Sequence, residues 1–220
     1  MNSTKQPIIT GIVDLLTAVP LFVTAPLCRP WHMRWGATSA EVRCAMPGDE
    51  LVPHPSFNAT RALTIEACPN QVWPWIVQMG YGRGGFYSYD LLDNAGRASG
   101  DQILDQFQQV RVGEWMPMAG RVNSTTAFKV TGFALNEWLL WQKPDSTWAW
   151  RLISLEGGRT RLVTRLKQRY QWEAPLLATF SLVLLEFGDF PMMRKALLGI
   201  KQRAEQTNRA LTMTTAQNRR

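Results

Sequence analysis

The chain has 220 residues, 45% hydrophobic and 19% charged, with a net charge of +7. That length suits one domain with a sizeable core, and the composition excludes a wholly disordered chain. The positive charge is spread along the chain without a clustered patch or reader motif. This excludes nucleic-acid binding and leaves simple solubility or attraction to an anionic membrane surface.

Cys28, Cys44 and Cys68 are odd in number and carry no C-x-x-C spacing. They argue against a disulfide framework and for a reducing compartment. His32 and His54 stand in no metal-ligand pattern, so no metal is expected, and no cofactor either. Ten tryptophans suit core packing and pocket walls alike.

Residues 1–28 form an apolar segment. From Pro7 to Leu27 the one charged residue is Asp14, and the run approaches the roughly 20 residues a bilayer crossing needs. Pro20 and Pro26 weaken a helix there, and Asp14 is costly at bilayer depth. Three readings stay open: a membrane anchor or span, a helix lying across the domain or the interface, and a cleaved secretory signal. Pro26 directly after Ala25 counts against cleavage. If the segment spans, Arg29, Arg34 and Arg43 behind it, against Lys5 before it, keep the main domain in the cytoplasm. The expected location is the cytoplasmic face of the cell membrane, or the cytoplasm.

Residues 29–57 read as an extended, turn-rich connector, and 58–208 as the domain proper. Leu63, Ile65 and Ala67 alternate with Thr64 and Glu66 as in a half-buried strand. Pro69 then opens a short helix with Val72, Trp73, Ile76 and Val77 on its apolar face. Gly80, Gly82 and Gly85 match G-x-G-x-x-G formally, but they follow a helix rather than a strand. They predict a tight turn, not a dinucleotide site. Strand patterns follow over 108–116, 126–135, 137–143, 147–156 and 159–170, with Gly157-Gly158 as a hairpin signal. Such short spacing predicts an antiparallel meander. A helical run over 175–187, apolar almost all round, is expected to be buried and to be broken by Gly188, Asp189 and Pro191. An amphipathic helix with Met193, Ala196, Leu197, Ile200 and Ala204 on one stripe follows. A polar tail, 209–220, follows, and its final ten residues, from Leu211, are expected to fray.

A strand–helix–helix start, an antiparallel sheet and a C-terminal helix resemble the helix-grip fold of the START/Bet v 1-like (SRPBCC) superfamily. Within it the chain is similar to an uncharacterised bacterial subgroup related to polyketide cyclase/dehydrase and lipid-transport proteins. The resemblance rests on Arg34–Thr38, Pro47–Asp49, Trp73–Gly80, Gly82–Asp90 and Leu198–Lys201, and covers about residues 31–206. It implies an α+β fold with a curved antiparallel sheet wrapped on a long C-terminal helix, the apolar N-terminal helix being an addition. It also implies a cavity for an apolar or amphipathic molecule between sheet and helix.

Arg83, among glycines and near Tyr87, Tyr89 and Asp90, is a candidate for a ligand carboxylate or phosphate. It could equally bond the end of the preceding helix or pair with Asp90. The two tyrosines are candidates for a pocket mouth. Trp138, Leu140, Trp148, Trp150 and Leu152 form a ladder at period two, and Trp138 and Trp150 are the candidate cavity walls. Arg159, Arg161, Arg165, Lys167 and Arg169 share one strand face, expected to meet solvent, anionic lipid or a partner. No nucleophile stands in a triad context. The expected function is binding or transfer of a hydrophobic small molecule or lipid at a membrane. A cyclase- or hydratase-like enzyme using Asp90 or a tyrosine is one alternative, and a filled-core interaction protein the other. Oligomeric state is not legible.

Overall fold

The computed structural model describes residues 5–217. Six strands form one antiparallel sheet: β1 (Phe57–Ile65), β2 (Trp115–Pro117), β3 (Ala127–Ala134), β4 (Trp138–Lys143), β5 (Ser146–Leu155) and β6 (Arg159–Gln168). Their order is β1-β6-β5-β4-β3-β2, so the meander runs inward from β2 and β1 closes the far edge. The helices are α1 (Lys5–Thr24), α2 (Arg29–His32), α3 (Ser39–Arg43), α4 (Pro69–Val77), α5 (Asp90–Asp93), α6 (Pro175–Val183) and α7 (Phe190–Gln217). Helices α4 and α7 pack together against the sheet, and Met193, Leu197, Ile200 and Ala204 of α7 enter the main core as their spacing predicts. The fold is α+β with the helix-grip arrangement.

Local chemistry explains the boundaries. Pro69 sits in the first turn of α4, and the Cys68 amide is capped by the Gln71 side chain at 2.9 Å. Between β5 and β6, Leu155 faces Arg159, leaving three residues in the loop rather than two. Gly157 and Gly158 both have positive φ there, 75° and 69°. The expected strand over 108–116 forms only at its end, as Trp115–Pro117.

Three expectations are corrected. The connector is not extended: it folds into α2, α3 and a short 3-10 turn (Asp49–Leu51) packed on the outer face of β1 and β6. Three of the five cations on β6, Arg161, Arg165 and Lys167, hold it there and so do not form a solvated or lipid-facing surface. Arg161 grips Glu41 bidentately at 2.7 and 2.9 Å. Arg165, 5% exposed, uses all five donors, on Thr60, Asp49 and the carbonyls of Glu41, Val42 and Cys44. Lys167 reaches the Asp49 carbonyl at 2.8 Å. Arg159 and Arg169, at the ends of the row, remain exposed.

Second, Gly188, Asp189 and Pro191 do not break the helix. Backbone helicity continues from α6 through a π-helical turn (Leu184–Asp189) into α7. The wider turn ends just before Pro191, whose ring and missing N–H are incompatible with a regular α-turn. Buried Asp189 in this turn pairs with buried Arg61 of β1 at 2.6 Å. Arg61 also donates to the His32 carbonyl at 2.8 Å, and the His32 ring stacks on Phe190.

Third, α6 is not buried: Leu176 is 90% exposed, and Phe180 and Val183 also face outward. The helix α7 continues through 209–217 instead of fraying at Leu211, and the last three residues of the expected tail lie outside the described residues.

Candidate functional site

The space between sheet and helices, where the resemblance implies a hollow, is filled. Leu139 pairs with Trp150 and Trp141 with Trp148 across β4 and β5, so these four share the inner face. Trp148 and Trp150 lie 5.1 Å apart between ring centroids, and Trp141 meets Trp148 edge-on at 5.2 Å. Trp73, Trp75, Met79 and Phe128 close the remaining volume. A recess of about 10 Å³ persists beside Val77, Arg83 and Trp141, scarcely space for one water.

This placement corrects two candidates. Trp138 lies on the opposite face of the sheet, packed with Leu140 against the small cluster of Met46, Ala62, Ala149 and Val163. It does not line the interior. The ladder mixed two faces because residues directly opposite on antiparallel strands, not residues of matching parity, share a side. Trp150 is on the inner face but plugs it, fully buried. Arg83 binds the Glu114 carboxylate at 2.6 Å and the Val77 carbonyl at 3.0 Å, with its guanidinium over the Phe107 ring. It closes the C-terminal end of α4 and makes no pair with Asp90.

Tyr87, Tyr89 and Asp90 come together elsewhere, on the outer side of α7. They line a cleft of about 470 Å³ whose other walls are Gly11 and Asp14 of α1, Gly96, Ala98 and Ser99, and Lys195, Leu198, Gly199 and Arg203 of α7. That volume is in the range of small-molecule sites. The wall at 87–99 is built by a short network. The Tyr87 amide donates to Ser99 Oγ at 2.9 Å, and Ser99 donates in turn to Asp90 Oδ1 at 2.6 Å. The Ser99 amide reaches Asp90 Oδ2 at 3.0 Å, so both carboxylate oxygens are engaged. Gly199 lets α7 close on this wall: a Cβ there would meet the Tyr87 carbonyl oxygen at 2.5 Å.

The cleft is electrostatically mixed. Lys195 pairs with Asp14 and lies over the Tyr89 ring at 4.1 Å, binding α1 to α7. Arg203 lies over the Tyr87 ring at 4.5 Å and donates to the Gly100 and Gly199 carbonyls at 2.7 and 3.2 Å. Among the described residues no carboxylate stands within ion-pair distance of it. Burial draws the Arg203 and Lys195 cations below their usual values.

Two of the enzymatic candidates are engaged within the protein: Ser99 holds both Asp90 carboxylate oxygens, and Tyr87 is bonded through its hydroxyl. The Tyr87 hydroxyl donates to the Trp75 carbonyl at 2.9 Å, and burial pushes its pKa well up. Asp93, beside the cleft, is pushed up to about 7 by burial and then by neighbouring Asp90. Among the described residues no cluster of His, Cys, Asp and Glu could hold a metal ion.

Sequence reasoning missed Lys195, Arg203 and the α1 wall. The signal available was the second stripe of α7: Lys195, Leu198, Gly199, Gln202 and Arg203 recur at helical spacing on the side away from the core.

No family model and no curated protein matches this chain. Solved structures similar to it include the Polyketide_cyc-like protein Cgl2372 from Corynebacterium glutamicum, at 14% identity over 66% of this chain and 88% of that one, TM-score 0.42. The Zhui aromatase/cyclase from Streptomyces sp. R1128 is 17% identical over 70% and 96%, TM-score 0.41. The conserved protein of unknown function EF2215 from Enterococcus faecalis is 12% identical over 73% and 94%, TM-score 0.33. The helix-grip assignment rests on this chain's own strand order and helix packing.

Proposed function

We propose that this chain is a non-catalytic binding protein for an acidic amphiphile, and that the ligand lies in the cleft between α1, α7 and residues 87–99. The observation carrying this reading is Arg203. It is a half-buried guanidinium, held by two carbonyls and an aromatic face, with about 470 Å³ of cleft in front of it; among the described residues no carboxylate is within ion-pair distance, and the Asp90 and Asp101 charges act on it from further away. A carboxylate or phosphate head would complete its charge. Leu91 and Leu198 offer apolar burial for a chain or ring. An interior carrier site is not proposed, because tryptophans occupy it.

Binding of oleic acid to the full chain, read against oleyl alcohol, tests the reading. The acid should bind, the alcohol should bind about tenfold or more weakly, and Arg203→Met should remove the difference, as expected for one charged hydrogen-bonded contact. Equal binding of acid and alcohol, or an unaltered preference in the variant, contradicts it. If neither binds and the cleft stays empty, the filled interior favours the second reading, an interaction protein without a small ligand.

A further inference from the structure

We infer that α1 and α6 together form a surface that lies in the plane of a lipid bilayer, dipping into one leaflet with α1 still docked on the domain. The residues from Thr10 to His32 are long and apolar enough to cross a membrane, and few of them are buried. Yet α1 is not free. Asp14 pairs with Lys195, Phe22 meets the Tyr89 ring at 5.4 Å, and Ala18 and Ala25 are buried against the domain. A crossing helix would have to give up these contacts and one wall of the cleft.

The opposite side of α1 is what a soluble surface helix does not show. Ile12, Val13, Leu16, Val19 and Val23 face outward, and Leu27 in the following turn is 84% exposed. Two hydroxyls on this helix are spent internally: Thr17 donates to the Asp14 carbonyl at 2.9 Å and Thr24 to the Pro20 carbonyl at 2.7 Å. Such self-satisfied helices tolerate hydrocarbon.

Helix α6 extends the same surface. Leu176, Phe180, Val183, Leu184 and Phe187 are exposed, and α1 and its following turn both pack on the π-helical turn that continues α6. The acidic group in this turn that could meet lipid, Glu186, is paired to Arg29 at 2.8 Å. Two exposed tryptophans, Trp31 and Trp172, flank the patch, as aromatic residues do at membrane interfaces. With its π-helical continuation, α6 is well short of the roughly 20 residues a crossing needs. A joint, in-plane apolar surface is what two such helices can offer a bilayer. This inference does not depend on what occupies the cleft.

Flotation of the full chain with vesicles of phosphatidylcholine and phosphatidylglycerol tests it, with melting temperature as the check on folding. Leu176→Asp/Phe180→Asp in α6 and Leu16→Asp/Val23→Asp in α1 should each weaken vesicle binding about tenfold or more. Val112→Asp, an exposed apolar position elsewhere, should leave it unchanged. If the α6 aspartates unfold the chain, Leu176→Ser/Phe180→Ser gives the same reading. An epitope before residue 1 should be cut by protease added outside sealed vesicles that display the domain outside. Wild-type binding by the α6 variants, an epitope protected until lysis, or a vesicle-indifferent dimer in detergent-free buffer would each overturn the inference.

Discussion

Trp141 and Trp150 meet edge to face across β4 and β5, ring centroids 5.7 Å apart and planes at 75°. They do so in the space that the helix-grip resemblance assigns to a ligand. Their packing turns a potential carrier into a solid core, and Trp150→Ala should excavate it. The expected cost is about 3–5 kcal/mol, read by chemical denaturation, with new binding of an apolar dye. Trp150→Phe should cost much less. It keeps most of the ring and deletes an indole N–H that has no partner among the described residues.

The cation row on β6 makes a second prediction. Arg165→Ala leaves three backbone carbonyls without their donor, removes one of the two cations on Asp49, the other being Lys167, and should destabilise by about 3–5 kcal/mol. Arg159→Ala, at an exposed position of the same strand, should stay within about 0.5 kcal/mol. Denaturation midpoints of the two variants check the contrast.

Acid should loosen the same clasp. The Arg161 guanidinium holds the Glu41 carboxyl down at about 2, below the ordinary 4.5. A depressed carboxylate contributes stability that is present above its unfolded pKa and lost as pH falls toward the folded one. The loss therefore belongs between about pH 4.5 and 2. Glu41→Gln should cost about 2 kcal/mol at pH 7 and little at pH 2, measured by thermal melts across that window.

Asp93 carries the opposite sign. Its folded pKa of about 7 lies above the ordinary 3.8, so the charged form is penalised in the folded chain. The penalty grows as pH rises from about 4 to 7 and is absent below that window. Asp93→Asn should stabilise by about 1–3 kcal/mol at pH 8 and leave stability unaltered near pH 3. A pH series of melting temperatures decides this.

Local patterns carried much of the fold into view. The alternation of the strands, Pro69 before α4, and the Met193–Leu197–Ile200–Ala204 stripe all depend on neighbours in sequence. What escaped depends on partners far along the chain. Arg161 and Arg165 read as a solvated face because their ligands, Glu41 and Asp49, sit more than a hundred residues earlier. The largely apolar α6 read as buried because composition records no contact, and its outward face became visible only with α1 in place. Tyr87, Tyr89 and Asp90 were found as a group, but their cleft opens on the outer side of α7, a choice fixed by Gly199 against Tyr87. Arg83 and the two ladder tryptophans read as ligand contacts because sequence records no partner, whereas each packs or pairs inside the protein.

Native mass spectrometry of the full chain purified from its own host, wild type beside Ala98→Trp, tests the cleft most directly. Ala98 lines the cleft at an exposed position, so a large side chain there blocks the site without entering the core. The predicted result is a small acidic amphiphile carried by the wild type and missing from the variant. A ligand retained by Ala98→Trp would contradict the cleft as its site, and one released by Trp150→Phe would place it in the interior.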